Sequence, residues 1–238
     1  MVIQTVFRRY ELKYLLTDAQ KMRILRAMQG HMALDEYGRS GIRNLYYDTD
    51  SFRLARRSIE SPSYKEKLRV RSYGRAAMDG QVFVELKKKY EGVVCKRRLA
   101  LPQEQALAWL RSEIPAPQGQ IASEIGYFRD FYAPVKPVVF LSYSREAFYA
   151  TDGSAFRVTF DDEILCRRDG LTLDTGTGGV PLLPQGTVLM ELKCPGAIPL
   201  WMTQVLSAQH IYRTPFSKYG EAYRRMIFSQ RKGLEQYA

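Results

Sequence analysis

Three times in this 238-residue sequence a glutamate is followed two positions later by a lysine, with a leucine between them. The pairs are Glu11 with Lys13, Glu85 with Lys87, and Glu191 with Lys193. Residues two apart point to the same face of a β-strand, so each pair would place a carboxylate beside an ammonium group. Carboxylates bind hard divalent cations and ammonium groups bind phosphate. The spacing therefore suggests metal-assisted phosphate chemistry.

The second pair lies in a predicted hairpin with the same alternation over a longer stretch. Its first run, 64–73, places Leu68 and Val70 on one face and four cations, Lys65, Lys67, Arg69 and Arg71, on the other. Its second run, 81–89, places Glu85, Lys87 and Lys89 opposite an apolar face of Val82, Val84 and Leu86. The two glycines between the runs favour an antiparallel hairpin with a longer turn.

The charged face recurs along most of the chain. Over the predicted strands it carries nine cations: Lys13, Lys67, Arg69, Arg71, Lys87, Lys89, Arg145, Arg157 and Lys193. Four acids, Glu11, Glu85, Asp161 and Glu191, share that face, which leaves five positive charges in excess. On an open sheet such a face would simply be solvated. Inside a barrel an unpaired ion costs several kcal/mol, so the excess would require an anionic ligand, and a slender phosphate chain fits both charge and width.

The pattern predicts an α+β fold, a closed antiparallel β-barrel tunnel of about eight strands with amphipathic helices packed outside. We expect one domain over residues 1–238. The predicted strands are 5–15, 42–47, 64–73, 81–89, 93–101, 137–148, 156–161 and 187–194. The predicted helices are 17–30, one short helix around 52–57, 102–110, 121–131, 200–211 and roughly 218–231, and the Gly- and Thr-rich residues 169–179 form a surface loop.

The composition narrows the class of partner. A formal net charge of +11 indicates an anionic partner such as nucleic acid, a membrane surface or a phosphate-rich small molecule. The three cysteines, Cys95, Cys166 and Cys194, are too widely spaced for a zinc motif and odd in number, which suggests a reducing compartment. No segment has the length and apolarity of a signal peptide or a membrane span, so we expect a cytoplasmic protein.

Eight short motifs resemble the VTC domain, the catalytic domain of polyphosphate polymerases in the triphosphate tunnel metalloenzyme (CYTH-like) superfamily. They are Phe7-Arg-Arg-Tyr-Glu-Leu-Lys, Tyr46-Tyr-Asp-Thr, Lys67-Leu-Arg-Val-Arg-Ser-Tyr-Gly, Val84-Glu-Leu-Lys, Ser142-Tyr-Ser-Arg, Arg157-Val-Thr-Phe-Asp, Met190-Glu-Leu-Lys and Phe216-Ser-Lys-Tyr. They occur in the expected order over nearly the whole chain. The resemblance implies a tunnel that binds a nucleoside triphosphate with Mn²⁺ or Mg²⁺ and transfers the γ-phosphate of ATP to a polyphosphate chain.

The resemblance also implies roles for individual residues. The phosphate clamps and catalytic cations would be Arg69, Arg71, Lys87, Arg145 and Lys218, with Lys96 and Lys13 as further basic contacts. Tyr143 and Ser217 would line the tunnel, and Lys67, Lys89, Arg157 and Lys193 add phosphate contacts from the charged face. Glu191 would be the main metal ligand. Glu11 and Glu85 would be further metal ligands, since they match acidic positions that triphosphatase branches use more heavily.

Other functions remain open at this stage. The same tunnel could hydrolyse triphosphate, or bind polyphosphate or nucleotides without catalysis. Nucleic-acid binding is permitted by the charge, but the acids interleaved on the charged face argue against it, so we expect no nucleic-acid partner. The simpler alternatives are surface ion pairs for Glu191 with Lys193, a solvated role for Lys88, a structural role for Tyr46–Asp48 and an inert buried thiol for Cys194.

Overall fold

The computed structural model describes residues 10–60, 63–91 and 93–228. The strands are β1 (Tyr10–Thr17), β2 (Met32–Asp48), β3 (Tyr64–Tyr73), β4 (Gln81–Tyr90), β5 (Val93–Pro102), β6 (Lys136–Ala150), β7 (Arg157–Arg167), β8 (Val180–Pro181) and β9 (Thr187–Cys194). The helices are α1 (Asp18–Met28), α2 (Arg53–Glu60), α3 (Gln103–Leu110), α4 (Gln120–Tyr132), α5 (Leu200–Ala208) and α6 (Lys218–Tyr223), and α6 continues as a π-helical turn (Arg224–Phe228).

The strands form one antiparallel sheet in the order β1-β9-β7-β6-β2-β3-β4-β5, and β8 pairs with β7 beside this path. The α+β class is therefore confirmed. The predicted closure of the barrel is not present as backbone pairing, because β1 and β5 are the two ends of the hydrogen-bonded path in the described part of the chain. The edge of β1 is instead met by a short bridge between Tyr14 and Arg213.

The sheet nevertheless curls until its two ends approach each other. Six strand spacings separate β1 from β4 in the sheet order, which in a flat sheet would amount to roughly 29 Å. Yet Lys87 of β4 lies 2.7 Å from the carboxylate of Glu11 on β1. The charged faces of these strands therefore line a concave surface.

The convex surface holds the apolar core, as the alternation predicted. Leu68, Val70, Val84 and Leu86 are fully buried under α3 and α4, with Trp109, Ile125 and Phe128 above them. A second apolar cluster under α1 and α5 joins Val158, Phe160, Met190 and Leu192 to Ile24, Met28, Met202 and Leu206. Burying each large aliphatic side chain contributes about 1.5–3 kcal/mol, so the helices hold the charged faces on the inner surface.

The local signals at the helix starts were informative. Thr17 accepts from the backbone of Gln20 while the Gln20 side chain accepts from the Thr17 backbone, which is the capping box that the sequence predicted for α1. Asp48, at the end of β2, accepts from the backbone N–H groups of Leu54 and Ala55 and from the Tyr219 hydroxyl. Asp48 therefore joins β2, α2 and α6, which agrees with a structural role.

Several predicted bounds were wrong. Strand β2 begins ten residues before the predicted 42, and its added half, 32–41, has no fully buried residue and is interrupted by a register shift between Leu34 and Arg39. Strand β7 continues to Arg167 past a bulge at which Glu163 has a φ of 49°. Helix α5 ends at Ala208 rather than 211, and the last helix changes to a π-helical turn after Tyr223. Residues 5–9 of the first predicted strand and 229–231 of the last helix lie outside the described residues.

Two further sequence expectations concern cysteines and membranes. All three cysteines are free; Cys166 and Cys194 are buried, and burial raises the pKa of the Cys194 thiol. This agrees with an inert thiol at Cys194. In the described part of the chain no helix combines the length and the apolarity needed to cross a membrane.

Candidate functional site

The concave surface, which we call the tunnel face, gathers most of the predicted site residues. It is formed by inward side chains of β1 to β7 and β9 together with Ser217 and Lys218 at the start of α6. Three carboxylates organise it: Glu85, Asp161 and Glu191, which are 1%, 0% and 9% exposed.

Glu85 of β4 is surrounded by four cations. Its Oε2 atom lies 2.7 Å from Nη2 of Arg69 and 3.8 Å from Nε of Arg71. Its Oε1 atom lies 2.6 Å from both Nζ of Lys96 and Nη2 of Arg98. Burial alone would raise the pKa of Glu85, but these cations outweigh burial and lower the pKa well below its usual range. The carboxylate is therefore ionised and paired on both oxygens.

Asp161 of β7 anchors a second cluster. The Arg145 guanidinium donates to both carboxylate oxygens at 2.6 and 2.7 Å, and Lys218 also pairs with this carboxylate. Burial would raise the pKa of Asp161, but Arg145 and Lys218 outweigh it and lower the pKa to about 2. This cluster thus joins β6, β7 and the start of α6 through charge.

Tyr143 lies between these two clusters. Its hydroxyl accepts from Nη2 of Arg71 at 3.0 Å, and Lys218 Nζ lies 4.5 Å from the centre of its ring. Burial would raise the pKa of the phenol, but Arg145, Arg71 and Lys218 outweigh burial and lower the pKa to about 8. The pKa of Tyr143 therefore depends on cations of both the Glu85 cluster and the Asp161 cluster.

Glu191 and Glu11 form the third cluster, on the paired strands β9 and β1. Lys193 lies 3.3 Å from Glu191, and Lys87 lies 2.7 Å from Glu11. The two carboxylates are close enough that Glu191 opposes ionisation of Glu11. Burial would raise the pKa of Glu191, but Lys193, Lys13 and Lys87 lower it well below its usual range.

Two lysines of the tunnel face are held by the segment before α6. Lys67 donates to the Ser217 hydroxyl at 3.0 Å, and Lys13 donates to the Phe216 carbonyl at 2.9 Å. Burial lowers the pKa of Lys13, and although Glu191 opposes this, the nearby cations Lys218 and Lys87 help to bring the pKa to about 8. Burial, together with nearby cations, lowers the pKa of Lys67 well below its usual range. Both ammonium groups are therefore only weakly compensated by acids.

One tunnel-face hydroxyl lacks a partner. Thr159 of β7 is opposite Glu191 in the register and on the same face as Asp161, and it is 4% exposed. Its Oγ1 atom is buried without a hydrogen-bond partner among the described residues. No group of three or more His, Cys, Asp or Glu side chains that could hold a metal occurs in the described part of the chain. A metal here would therefore have two carboxylates, a hydroxyl and ligand oxygens as its donors.

Two predicted phosphate contacts lie at the margins of these clusters. Arg157, at the start of β7, is exposed and stands opposite Lys193 in the register. Lys89, near the end of β4, is half-buried opposite Lys65. Lys88 points to the other face and lies 3.5 Å from Glu66, so it is paired rather than simply solvated.

Sequence reasoning missed three side chains of the Glu85 cluster. Tyr46 accepts from Nη1 of Arg69 and Asn44 accepts from Nε of Arg71, each at 2.9 Å, and Arg98 pairs with Glu85. The alternation of β2 places residues 44 and 46 on the face of the clamps, and Arg98 shares the face of Lys96. The signal was therefore present in the alternation of β2 and β5.

A cavity of about 700 Å³ opens beside the tunnel face. Its lining includes Tyr143, but also Arg39 and Asp162, which already pair with each other at 2.6 Å. The clustered, weakly compensated cations lie elsewhere, so charge places the candidate phosphate site at the tunnel face.

Comparison with known proteins decides the family. The family model described as the VTC domain matches residues 8–227. The chain belongs to the VTC domain family. The resemblance found in the motifs is thus confirmed. No curated protein sequence matches this VTC domain significantly.

Solved structures show the same fold. A candidate adenylate cyclase from Bacillus halodurans is 17% identical, with a TM-score of 0.54 and coverage of 92% of this chain and 100% of that chain. The Hippeastrum protein HpAC1, a candidate adenylyl cyclase described as having a dominant triphosphatase activity, is 16% identical, with a TM-score of 0.51 and coverage of 91% of this chain and 95% of that chain. At these identities the likeness concerns the fold alone.

Proposed function

We propose that this VTC domain is a metal-dependent polyphosphate polymerase that transfers the γ-phosphate of ATP to a polyphosphate chain on the tunnel face. The observation that carries the proposal is the excess of buried and half-buried cations over carboxylates there, with Lys67 and Lys13 held by oxygen atoms of Ser217 and Phe216 rather than by acids. Such an excess is costly unless an anion enters. We also propose that residues 1–238 form one domain, in keeping with the match over 8–227.

The basic clusters would divide the binding of two phosphate chains. Arginine guanidinium groups suit bidentate contacts with phosphate oxygens, which favours Arg69, Arg71 and Arg145 as the positioning clamps. Lys218 and Lys87 supply charge near the transferred group. The terminal oxygen of the growing chain attacks the γ-phosphorus, a new P–O bond forms, the bond to the β-phosphate oxygen breaks, and ADP leaves. No covalent enzyme intermediate is required, because positioning and electrostatic stabilisation supply most of the catalysis.

The residues present fit a hard divalent cation. Mg²⁺ and Mn²⁺ prefer oxygen donors and are commonly held by one or two carboxylates plus substrate phosphates. Glu191 and Glu11 would hold the ion, and the unpartnered Thr159 hydroxyl opposite Glu191 is a third oxygen donor. When bound, the ion neutralises charge that develops on the phosphate oxygens. Lys193 and Lys13 favour the ionised form of Glu191, and Lys87 favours that of Glu11, so that both carboxylates are ready to bind it.

A second candidate is an inorganic or nucleoside triphosphatase on the same tunnel. Two observations favour it: the Glu11 carboxylate on the tunnel face, and the triphosphatase activity described for the Hippeastrum protein. In that case water rather than polyphosphate would accept the phosphoryl group. A non-catalytic binding module is the remaining alternative.

Product analysis distinguishes these functions. Purified protein is incubated with ATP and Mn²⁺, or with tripolyphosphate and Mn²⁺, and products are separated by gel electrophoresis and assayed for orthophosphate. Long polyphosphate from ATP supports the polymerase. Orthophosphate from tripolyphosphate without polymer supports the hydrolase, and binding without either product supports the module.

Variants at the clusters serve as controls. Arg145→Gln should remove most activity of either kind, since Arg145 is both clamp and partner of Asp161. Glu191→Gln should weaken Mn²⁺ binding, measured by electron paramagnetic resonance without substrate. Unchanged Mn²⁺ affinity and unchanged activity in Glu191→Gln would contradict the metal assignment.

A further inference from the structure

The Glu85 cluster has an unusual balance of charge. One carboxylate, 1% exposed, contacts four cations within 3.8 Å: Arg69, Arg71, Lys96 and Arg98. Both oxygens are engaged, Oε2 by the arginines of β3 and Oε1 by the cations of β5. When Lys96 is protonated, the cluster therefore carries three positive charges beyond the one that Glu85 neutralises.

A divalent cation is disfavoured at this carboxylate. Four positive groups already lie around it, and a further double positive charge would repel all of them at short range. The geometry thus separates Glu85 from Glu191, which has one cation, Lys193, within ion-pair distance among the described residues.

A phosphate chain would need the same donors that Glu85 now occupies. Guanidinium groups bind carboxylate and phosphate through the same fork of N–H donors. Glu85 holds Arg69 and Arg98 through its two oxygens. The N–H donors of these arginines are therefore oriented before phosphate enters, but they are only partly available to it. An entering phosphate must share the four cations with this carboxylate.

We propose that Glu85 is an internal counter-anion that orients Arg69, Arg71, Lys96 and Arg98 and competes with bound phosphate for them. This inference rests on the proposed phosphate-binding function of the tunnel face. Competition lowers the affinity for every polyanion, so that a phosphate chain bound by many cations can still leave. Glu85 is thus a positioning residue and is not one of the metal ligands.

The test is the affinity for tripolyphosphate in the absence of metal, measured by isothermal titration calorimetry. Glu85→Gln removes one negative charge from the cluster while keeping the side-chain shape. We expect it to bind tripolyphosphate about tenfold more tightly than the wild type, a conservative figure for one buried charge. A role in structure alone, or in metal binding, would not tighten metal-free binding.

Glu66→Gln is the matched control. Glu66 lies on the adjacent strand β3 and is also buried, but it faces the convex side, where it accepts from Tyr132 at 2.8 Å and lies 3.5 Å from Lys88. Its replacement removes a buried carboxylate outside the tunnel face. We expect its tripolyphosphate affinity to stay within about twofold of the wild type, since it does not share the phosphate donors.

The outcomes separate this inference from the proposed function. If the wild type fails to bind tripolyphosphate, the proposed function fails. If the wild type binds and Glu85→Gln binds equally or more weakly, the inference is overturned, and a weakened Mn²⁺ affinity in that variant would restore Glu85 as a metal ligand. Should Glu85→Gln not fold, Glu85→Asp decides the question. Its shorter side chain lengthens the ion pairs, and tighter metal-free binding is again expected.

Discussion

Besides Lys96, whose pKa burial lowers to about 7, two side chains of the tunnel face change charge near neutral pH. The pKa values of Lys13 and Tyr143 are both about 8, for opposite reasons: burial disfavours the charged ammonium, and cations favour the charged phenolate. Raising the pH through 8 therefore removes a positive charge at one and adds a negative charge at the other. Both changes oppose phosphate binding.

We accordingly expect the affinity for tripolyphosphate to fall at least about tenfold between pH 7 and pH 9.5. Bound phosphate favours the protonated forms of Lys13 and Tyr143, so the loss should be largest above pH 8. The double variant Lys13→Met/Tyr143→Phe should bind more weakly at pH 7 and show a flatter profile, measured by calorimetry. Tyr47→Phe is the control, because burial raises the pKa of Tyr47 and keeps it neutral over this range. A double-variant profile parallel to that of the wild type would contradict this assignment.

At the scale of elements, strand alternation decides which lysines can reach a ligand. Lys87 and Lys88 are adjacent in β4, but Lys87 pairs with Glu11 across the tunnel face whereas Lys88 pairs with Glu66 on the convex side. Variants of these two adjacent lysines therefore test directly which face of the sheet binds phosphate.

Lys87→Gln should weaken tripolyphosphate binding about tenfold or more, since it removes a cation from the tunnel face. Lys88→Gln should change it less than about twofold, because Lys88 pairs with Glu66 on the convex side, away from the ligand. Binding titrations at one ionic strength would measure both. Equal losses in the two variants would mean that phosphate does not bind on the concave side.

The strength of the alternation explains what the sequence could predict. Buried apolar residues alternate with charged ones at 67–71 of β3, 84–87 of β4 and 190–194 of β9, so element type, hairpin pairing and the charged face were all readable. The first half of β2 has no such pattern because none of its residues is fully buried. The bulge at Glu163 shifts the register of β7, which hid its continuation.

Within the site, the charged residues were readable but their pairings were not. Alternation placed Glu85 on the charged face, yet four contacts from two other strands determine its environment. Likewise Tyr46 and Asn44 required the pairing of β2 with β3 before they could be assigned to Arg69 and Arg71. Whether an acid faces a metal or is surrounded by cations depends on how strands distant in the sequence pair with one another. The alternation of residues along one strand does not contain that information.

At the scale of the whole molecule, the net charge of +11 and the buried cations of the tunnel face act together. The positive field should attract polyanions over a distance limited by ionic strength, and a ligand that neutralises the tunnel face should stabilise the fold.

Tripolyphosphate at one hundred times its dissociation constant should stabilise the protein by about 2.7 kcal/mol and raise Tm by about 5 to 10 °C. Orthophosphate at the same concentration should have a smaller effect, because it reaches fewer cations. The shift at a fixed tripolyphosphate concentration should decrease when NaCl is raised from about 50 to about 500 mM, which screens the field. Differential scanning fluorimetry measures all three. A Tm that does not respond to tripolyphosphate would argue against an anion site on the tunnel face.

The open path of the sheet has a mechanical consequence. No backbone pairing joins β1 to β5 in the described part of the chain. The gap is crossed by the ion pair between Glu11 and Lys87 and by residues 213–217, which bridge to β1 at Tyr14 and accept from Lys67 of β3 through Ser217. Opening the gap would break these few contacts, whereas separating two paired strands would break a whole row of hydrogen bonds. On the proposed function, a phosphate chain longer than the tunnel would then enter from the side, without its end being threaded through.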